Sequence, residues 1–171
     1  ARTPFLGKAA RECMHLALNA SGEYVGLTPT QMGNSEVGHN TMGAGKIIKH
    51  GVAWIDEAFD NDTVFQSEAW KQAIDRALSG GTLHFAGIFS DGGVHSNIKH
   101  LFKMIEEAYV DGVRKIRVHP VFDGRDVAPQ SEPKYIRQFD EFVSQFIDAD
   151  IRIADGGGRM IYVADRYEND W

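Results

Sequence analysis

Paired cysteines, long apolar runs and an excess of basic residues are all missing from this chain. Cys13 stands alone among 171 residues. An internal disulfide is therefore excluded, and so is a zinc site built from several thiolates. Such sparse cysteine usage fits a reducing compartment, and a cytoplasmic location is expected. Nowhere do about 18 apolar residues run together, so no segment reads as a membrane-spanning helix. No signal-peptide pattern opens the chain. Only 18 Lys and Arg face 24 Asp and Glu, giving a net charge of −6 and a pI near 5.6. That balance argues against nucleic acid or an anionic membrane as partner. An anionic small molecule would have to be held by a local cluster of arginines.

Hydrophobic residues make up 43% of the chain, enough for a sizeable core. The length suits one domain, or one domain with a piece of another. The chain opens without Met and stops at "RYENDW" with no helix-stop or tail signal, so a piece of a longer chain is expected. Cys13 lies in "AARECMHLAL", a helix-like apolar stretch, and reads as buried filler. No solenoid repeat or low-complexity tract is present.

Composition changes near 48–54. Positions 1–50 are glycine-rich and irregular after a short helical stretch, whereas 51–171 alternate regularly. "SEAWKQAIDRALSG" (67–80) predicts a helix with Trp70, Ile74, Ala77 and Leu78 on one face. "TLHFAGIF" (82–89) has strand length. "NIKHLFKMIEEAYVDG" (97–112) places Ile98, Leu101, Phe102, Ile105 and Tyr109 on a helical face. "KIRVHPVF" (115–122) reads as a second strand weakened at its end by Pro120. "SEPKYIRQFDEFVSQFI" (131–147) reads as a helix with Ser131 at its N-cap. "IRIAD" (151–155) reads as a third strand. Strands alternating with amphipathic helices predict an α/β fold with a parallel sheet.

Each predicted strand ends in an Asp-Gly loop: "SDGGVHS" (90–96), "DGRD" (123–126) and "DGGGR" (155–159). In a parallel sheet the strand C-termini share one edge, and ligands bind outside it. His95, Arg125, Asp126 and Arg159 are therefore expected to converge there. Arginine suits bidentate contact with carboxylate or phosphate, and histidine moves protons near neutral pH. One such loop alone would read as an ordinary turn. Three in register, each with a charged or titratable group, point to a small-anion site.

"QMGNSEVGHNTMGAGKII" (31–48) carries one serine, Ser35, among four glycines. A nucleophile elbow needs G-x-S-x-G, and "GNSEVG" is one residue too long. A P-loop needs glycine where Asn40 stands and Ser or Thr where Ile47 stands. A dinucleotide turn fails at Ile48. Two readings stay open: a structural turn serine, and a nucleophile whose hydroxyl is activated by a divalent cation.

Taken together, "TQMGNSEVGH" (30–39), "GAGKII" (43–48), "SDGGVHS", "DGRDVAP" (123–129) and "GGGRMIYVADRYENDW" (156–171) resemble the 2,3-bisphosphoglycerate-independent phosphoglycerate mutases, metal-dependent members of the alkaline phosphatase superfamily. The resemblance runs in order over nearly all of 25–171. It implies a partial phosphatase-like α/β domain in 1–50 and a parallel-sheet α/β/α transferase domain in 51–171. It implies interconversion of 3-phosphoglycerate and 2-phosphoglycerate in glycolysis and gluconeogenesis, by a monomer. Ser35 would be the nucleophile, passing through phosphoserine, and also a metal ligand. His95, Arg125, Asp126, Arg159 and Arg166 would hold substrate, with Asp126 and His95 the candidates for proton transfer. Two divalent cations, manganese or magnesium, are implied. The family's N-terminal "DGWG"-type segment and its downstream Asp, His, Lys and Arg residues are absent, so most metal ligands are missing and the chain alone is expected to be inactive. Val163-Ala164 replaces an expected Thr-Met.

The remaining candidates have plainer readings. His39 reads as a cap or packing residue, His100 and His119 as structural, His84 as a satisfied core histidine and Lys46 as solvated. Glu36 could help position a metal. Arg159 and Arg166 could instead pair with Glu168 and Asp170 at the surface. Other classes stay open: a related metal-dependent phosphohydrolase, and a non-catalytic phosphoglycerate-binding domain.

Overall fold

The structure, a computed structural model, describes residues 2–29 and 31–163. The chain divides into two compact units, Ala1–Ile48 and Lys49–Trp171. Among the described residues no helix is long and apolar enough to cross a membrane.

The first unit holds α1 (Pro4–Glu12), a 3-10 turn (Gly22–Val25) and α2 (Ser35–Ala44). Its buried core consists of Val25, Leu27 and Val37. Helix α1 buries none of its residues. Cys13 follows α1 directly and is exposed, which corrects its reading as buried filler. The helix stops at Glu12, and Met14, Leu16 and Leu18 beyond it are also exposed. Apolar character buries a residue only where another surface covers it.

The second unit begins with α3 (Gly51–Asp60) and α4 (Glu68–Leu78). Ser67 caps α4 by accepting from the Trp70 amide. Trp70 and Ile74 are buried, whereas Leu78, expected on the same face, is 53% exposed at the last turn. There follow β1 (Leu83–Ile88), α5 (Ile98–Val110), β2 (Lys115–Phe122), α6 (Glu132–Val143) and β3 (Asp150–Ile153). The two-residue β4 (Gly157–Gly158) and short α7 (Arg159–Tyr162) close the described part. Asn97 caps α5 through the Lys99 amide. Ser131 precedes α6 but makes no side-chain cap. Strand β2 runs through Pro120 to Phe122 with its pairing to β1 intact.

The sheet is parallel, in the order β1-β2-β3, with β4 also beside β2. Crossovers between parallel strands are right-handed, so a sequential strand order sends α5 and α6 to the same face. The core agrees: Ile105 and Ala108 of α5 and Tyr135 and Phe139 of α6 cluster with Ile116 and Val118 of β2. Alternation along β1 turns Leu83 inward and His84 outward. His84 is exposed and hydrogen-bonds His119 of β2, which corrects its reading as a core histidine. His119 in turn reaches Asp155 at 2.8 Å. His100 is buried, stacked on Phe59 and paired with Asp56 of α3.

Candidate substrate-binding loops and the serine helix

The three Asp-Gly loops meet beyond the strand ends. Asp123, first after β2, is their hub. Its Oδ1 accepts from the backbone N–H groups of Gly124, Arg125 and Asp126 at 2.9, 3.1 and 3.1 Å. This is the local turn that an Asp before Gly favours. Its Oδ2 accepts from Ser90 Oγ, first after Phe89, at 2.7 Å. Arg159 Nη1, from the third loop, donates to Asp123 Oδ1 at 3.0 Å and to Asp126 Oδ2 at 2.6 Å. The side chains of Arg159, Asp123 and Asp126 are only 9%, 1% and 14% exposed. Arg159 is therefore no surface pairing partner.

The loops also touch through backbone. A Cβ added to Gly92 would lie 2.9 Å from Asp126 Cβ and 3.3 Å from the Asp126 carbonyl oxygen. Only glycine lets the 90–96 loop come so close to the 123–126 loop.

Charge at the hub follows from these contacts. Burial pushes the Asp123 carboxyl up, but hydrogen bonds from Ser90, the Asp126 and Arg125 amides and Arg159 outweigh it and hold the group below its ordinary value. Burial works against the Arg159 cation, yet Asp126 and Asp123 beside it raise its pKa. Asp91, next to the hub, is held low by hydrogen bonds from Lys134 and Tyr135.

Of the residues singled out in the sequence, Asp126 and Arg159 are brought into direct contact. Arg125 lies exposed on the same turn. His95 is exposed on the 90–96 loop, where it joins the lining of an apolar cavity of about 360 Å³ between α3, β1 and α5. Phe59, Phe85, Phe89, Leu101 and Met104 dominate that cavity, which suits no anion. Arg166 lies outside the described residues, as do Glu168 and Asp170. Sequence reasoning missed Asp123, Ser90, Asp91 and Tyr135. For the first three a signal existed: each sits in an Asp-Gly loop immediately after a strand.

Ser35 belongs to the first unit. It is not in a loop but is the first residue of α2, exposed at the helix N-terminus. Asn34 caps the helix, its Oδ1 accepting from the Val37 amide at 3.1 Å. Gly33 is required just before it, because a Cβ there would lie 1.7 Å from the Ala20 carbonyl oxygen. His39, one turn on, places Nδ1 2.6 Å from the Ser35 carbonyl oxygen and 3.2 Å from Ser35 Oγ. A carbonyl only accepts, so Nδ1 carries the proton and cannot take one from the serine. The helix N-terminus supplies free N–H groups and a positive dipole end, suited to phosphoryl oxygens.

Among the described residues no group of three or more His, Cys, Asp or Glu is placed to hold a metal ion. Glu36 and His39 flank Ser35 on its helix, with His39 Nδ1 turned to the backbone. These residues do not form a metal centre.

Residues 55–171 match a family model described as BPG-independent PGAM N-terminus. The chain is 41% identical, over its whole length, to a probable 2,3-bisphosphoglycerate-independent phosphoglycerate mutase of Leptospira interrogans, covering 32% of that protein. It is 40% identical to the corresponding enzyme of Trypanosoma brucei brucei, with the same coverage. Among solved structures it matches a Leishmania mexicana phosphoglycerate mutase studied at low cobalt concentration, at 39% identity and a TM-score of 0.86 over the whole chain and 32% of that protein. The chain thus spans about a third of the length of these relatives.

Proposed function

The chain belongs to the 2,3-bisphosphoglycerate-independent phosphoglycerate mutase family, and from that premise we propose that the protein carrying it interconverts 3-phosphoglycerate and 2-phosphoglycerate through a phosphoserine at Ser35. The observation that carries this reading is the convergence of Asp123 and Asp126, from the loop after β2, with Arg159 from the loop after β3. A buried arginine between two carboxylates at the ligand-binding edge of a parallel sheet is suited to trade one carboxylate for that of a ligand.

The division of labour follows the two units. In Ala1–Ile48, Ser35 Oγ attacks phosphorus and gives up its proton, the bond from phosphorus to the C3 oxygen of glycerate breaks, and that oxygen takes up a proton. The amides opening α2 bind the phosphoryl oxygens. In Lys49–Trp171, Arg159, Arg125 and Arg166 hold the glycerate carboxylate and hydroxyls while it reorients. The C2 oxygen then attacks phosphoserine and loses its proton, the bond from phosphorus to Ser35 Oγ breaks, and Oγ takes up a proton, which restores Ser35. Atoms and charge balance without an external donor. Asp126 and His95 are the groups we assign to proton transfer at the glycerate oxygens. Manganese or magnesium would need ligands beyond the described residues.

The test is Ser35→Ala in the full-length protein. Conversion of 3-phosphoglycerate should fall by about a thousandfold or more, with the circular dichroism spectrum unchanged because Ser35 is exposed. Retained mutase activity would sink the assignment. Phosphate release without isomerisation would favour a phosphohydrolase instead. A second reading has one observation behind it: the hub lies entirely within Lys49–Trp171. The 171-residue chain then binds phosphoglycerate by itself, which calorimetry without metal would detect.

A further inference from the structure

Tyr135 of α6 is 2% exposed, and its hydroxyl donates to Asp91 Oδ1 at 2.5 Å. A buried tyrosine hydroxyl needs a polar partner, and here the partner belongs to another element. Lys134 grips the same carboxylate from outside: its Nζ donates to Asp91 Oδ2 at 2.8 Å and stands 4.6 Å from the Tyr135 ring centre. Asp91 is flanked by the two residues through which the 90–96 loop meets the hub. Ser90, 1% exposed, donates to Asp123 and accepts from the Gly92 amide at 3.3 Å. Gly92 packs against Asp126. Asp126 in turn pairs with Arg159.

We propose that Tyr135 is a positioning residue for the glycerate-holding loops: by tethering Asp91 it presses the 90–96 loop onto Asp126 and so sets where Asp126 and Arg159 stand. The inference rests on the function proposed above for these loops. Neither Tyr135 nor Asp91 touches substrate in this scheme. Their effect travels from α6 through Asp91 to Ser90 and Gly92, and from there to the two charged groups. A tether of this kind is made before chemistry begins. Its loss weakens ground-state and transition-state binding together, which raises KM and spares kcat.

Tyr135→Phe keeps the buried ring and removes only the hydroxyl, so the core around Phe139 and Ile116 is preserved. In the full-length protein the KM for 3-phosphoglycerate should rise about tenfold, with kcat within about threefold of the parent. Asp91→Ala should do the same, and Tyr135→Phe combined with Asp91→Ala should be no worse than the more damaging single change, because both cut one path. Multiplying effects, or a lower denaturation midpoint with KM within about twofold of the parent, would overturn the proposal and leave Tyr135 a structural residue. Hydrogen exchange on the 171-residue chain separates this failure from failure of the function itself. If the full-length parent shows no mutase activity, the assigned reaction falls. The tether still predicts exchange at least about tenfold faster at the Gly92 and Asp126 amides in Tyr135→Phe, with the Ile116 and Val118 amides unchanged. Unchanged loop exchange would refute the tether whatever the activity.

Discussion

Arg159 and Asp126 are bonded to each other, Nη1 to Oδ2 at 2.6 Å, although 33 residues and a crossover helix separate them. Both are expected substrate ligands, and here each satisfies the other's charge. Asp123 takes the second bond from the same nitrogen. Under the proposed function an arriving carboxylate would compete with Asp126 for a guanidinium already aimed and dehydrated, and Asp126 would become available to a glycerate hydroxyl. Four consequences can be checked.

Replacing Arg159 should cost stability as well as binding. Arg159→Ala leaves Asp123 and Asp126 as buried carboxylates without their cation, and breaking such a pair from one side costs about 3 kcal/mol or more. Urea denaturation of the 171-residue chain reads this directly. Arg159→Lys keeps the charge but not the planar guanidinium, and should fall between. A loss below about 1 kcal/mol for the alanine variant would mean that the carboxylates find other partners.

Gly92→Ala should damage both ligand affinity and stability. Its methyl would come within 2.9 Å of Asp126 Cβ, so one loop must move aside. An affinity for 3-phosphoglycerate about tenfold weaker is expected, with stability lowered by about 1–3 kcal/mol. Gly87→Ala in β1, where nothing lies within 4 Å of the added atom, is the matched control and should leave affinity intact.

The α2 cap should hold the serine helix. Asn34→Ala removes the acceptor for the Val37 amide, and such a loss costs about 1 kcal/mol. Within α2 the effect should be large relative to its resources, because Gly38 and Gly43 already weaken the helix. Hydrogen exchange of the Gly38 and His39 amides should speed up, while amides of the sheet keep their rates. Equal protection in the variant would show that the cap is dispensable.

Acid should loosen the second unit. Hydrogen bonds from Ser90, the Asp126 and Arg125 amides and Arg159 outweigh burial at Asp123, and those from Lys134 and Tyr135 dominate at Asp91, so both carboxyls are depressed from an ordinary 3.8. A depressed carboxyl takes up its proton more readily unfolded than folded. Its stabilisation is therefore complete above the unfolded value and is lost as pH falls through the folded one. The urea midpoint should hold steady from about pH 7 to pH 5 and decline below about pH 4. A flat midpoint down to about pH 3 would contradict the assignment.

Much of the second unit could be read from the chain. Period-3.6 apolar spacing located α4, α5 and α6, short apolar runs located β1 to β3, and Asp-Gly pairs after each strand marked the edge where Asp126 and Arg159 meet. These are local signals, set by propensity and by the solvent contrast along each segment. Helix α2 escaped because its glycines blur the apolar period, and the cap at Asn34 was the only local clue. Cys13 and His84 were misplaced because burial depends on what covers a residue. That is decided by distant segments, and neither residue is covered here. The choice of Asp123 as hub, and of Tyr135 as its remote brace, also lay beyond the sequence. The residue types were visible, but a hydrogen bond between residues 33 to 44 positions apart exists only once the crossovers have set strand order and brought three loops to one edge.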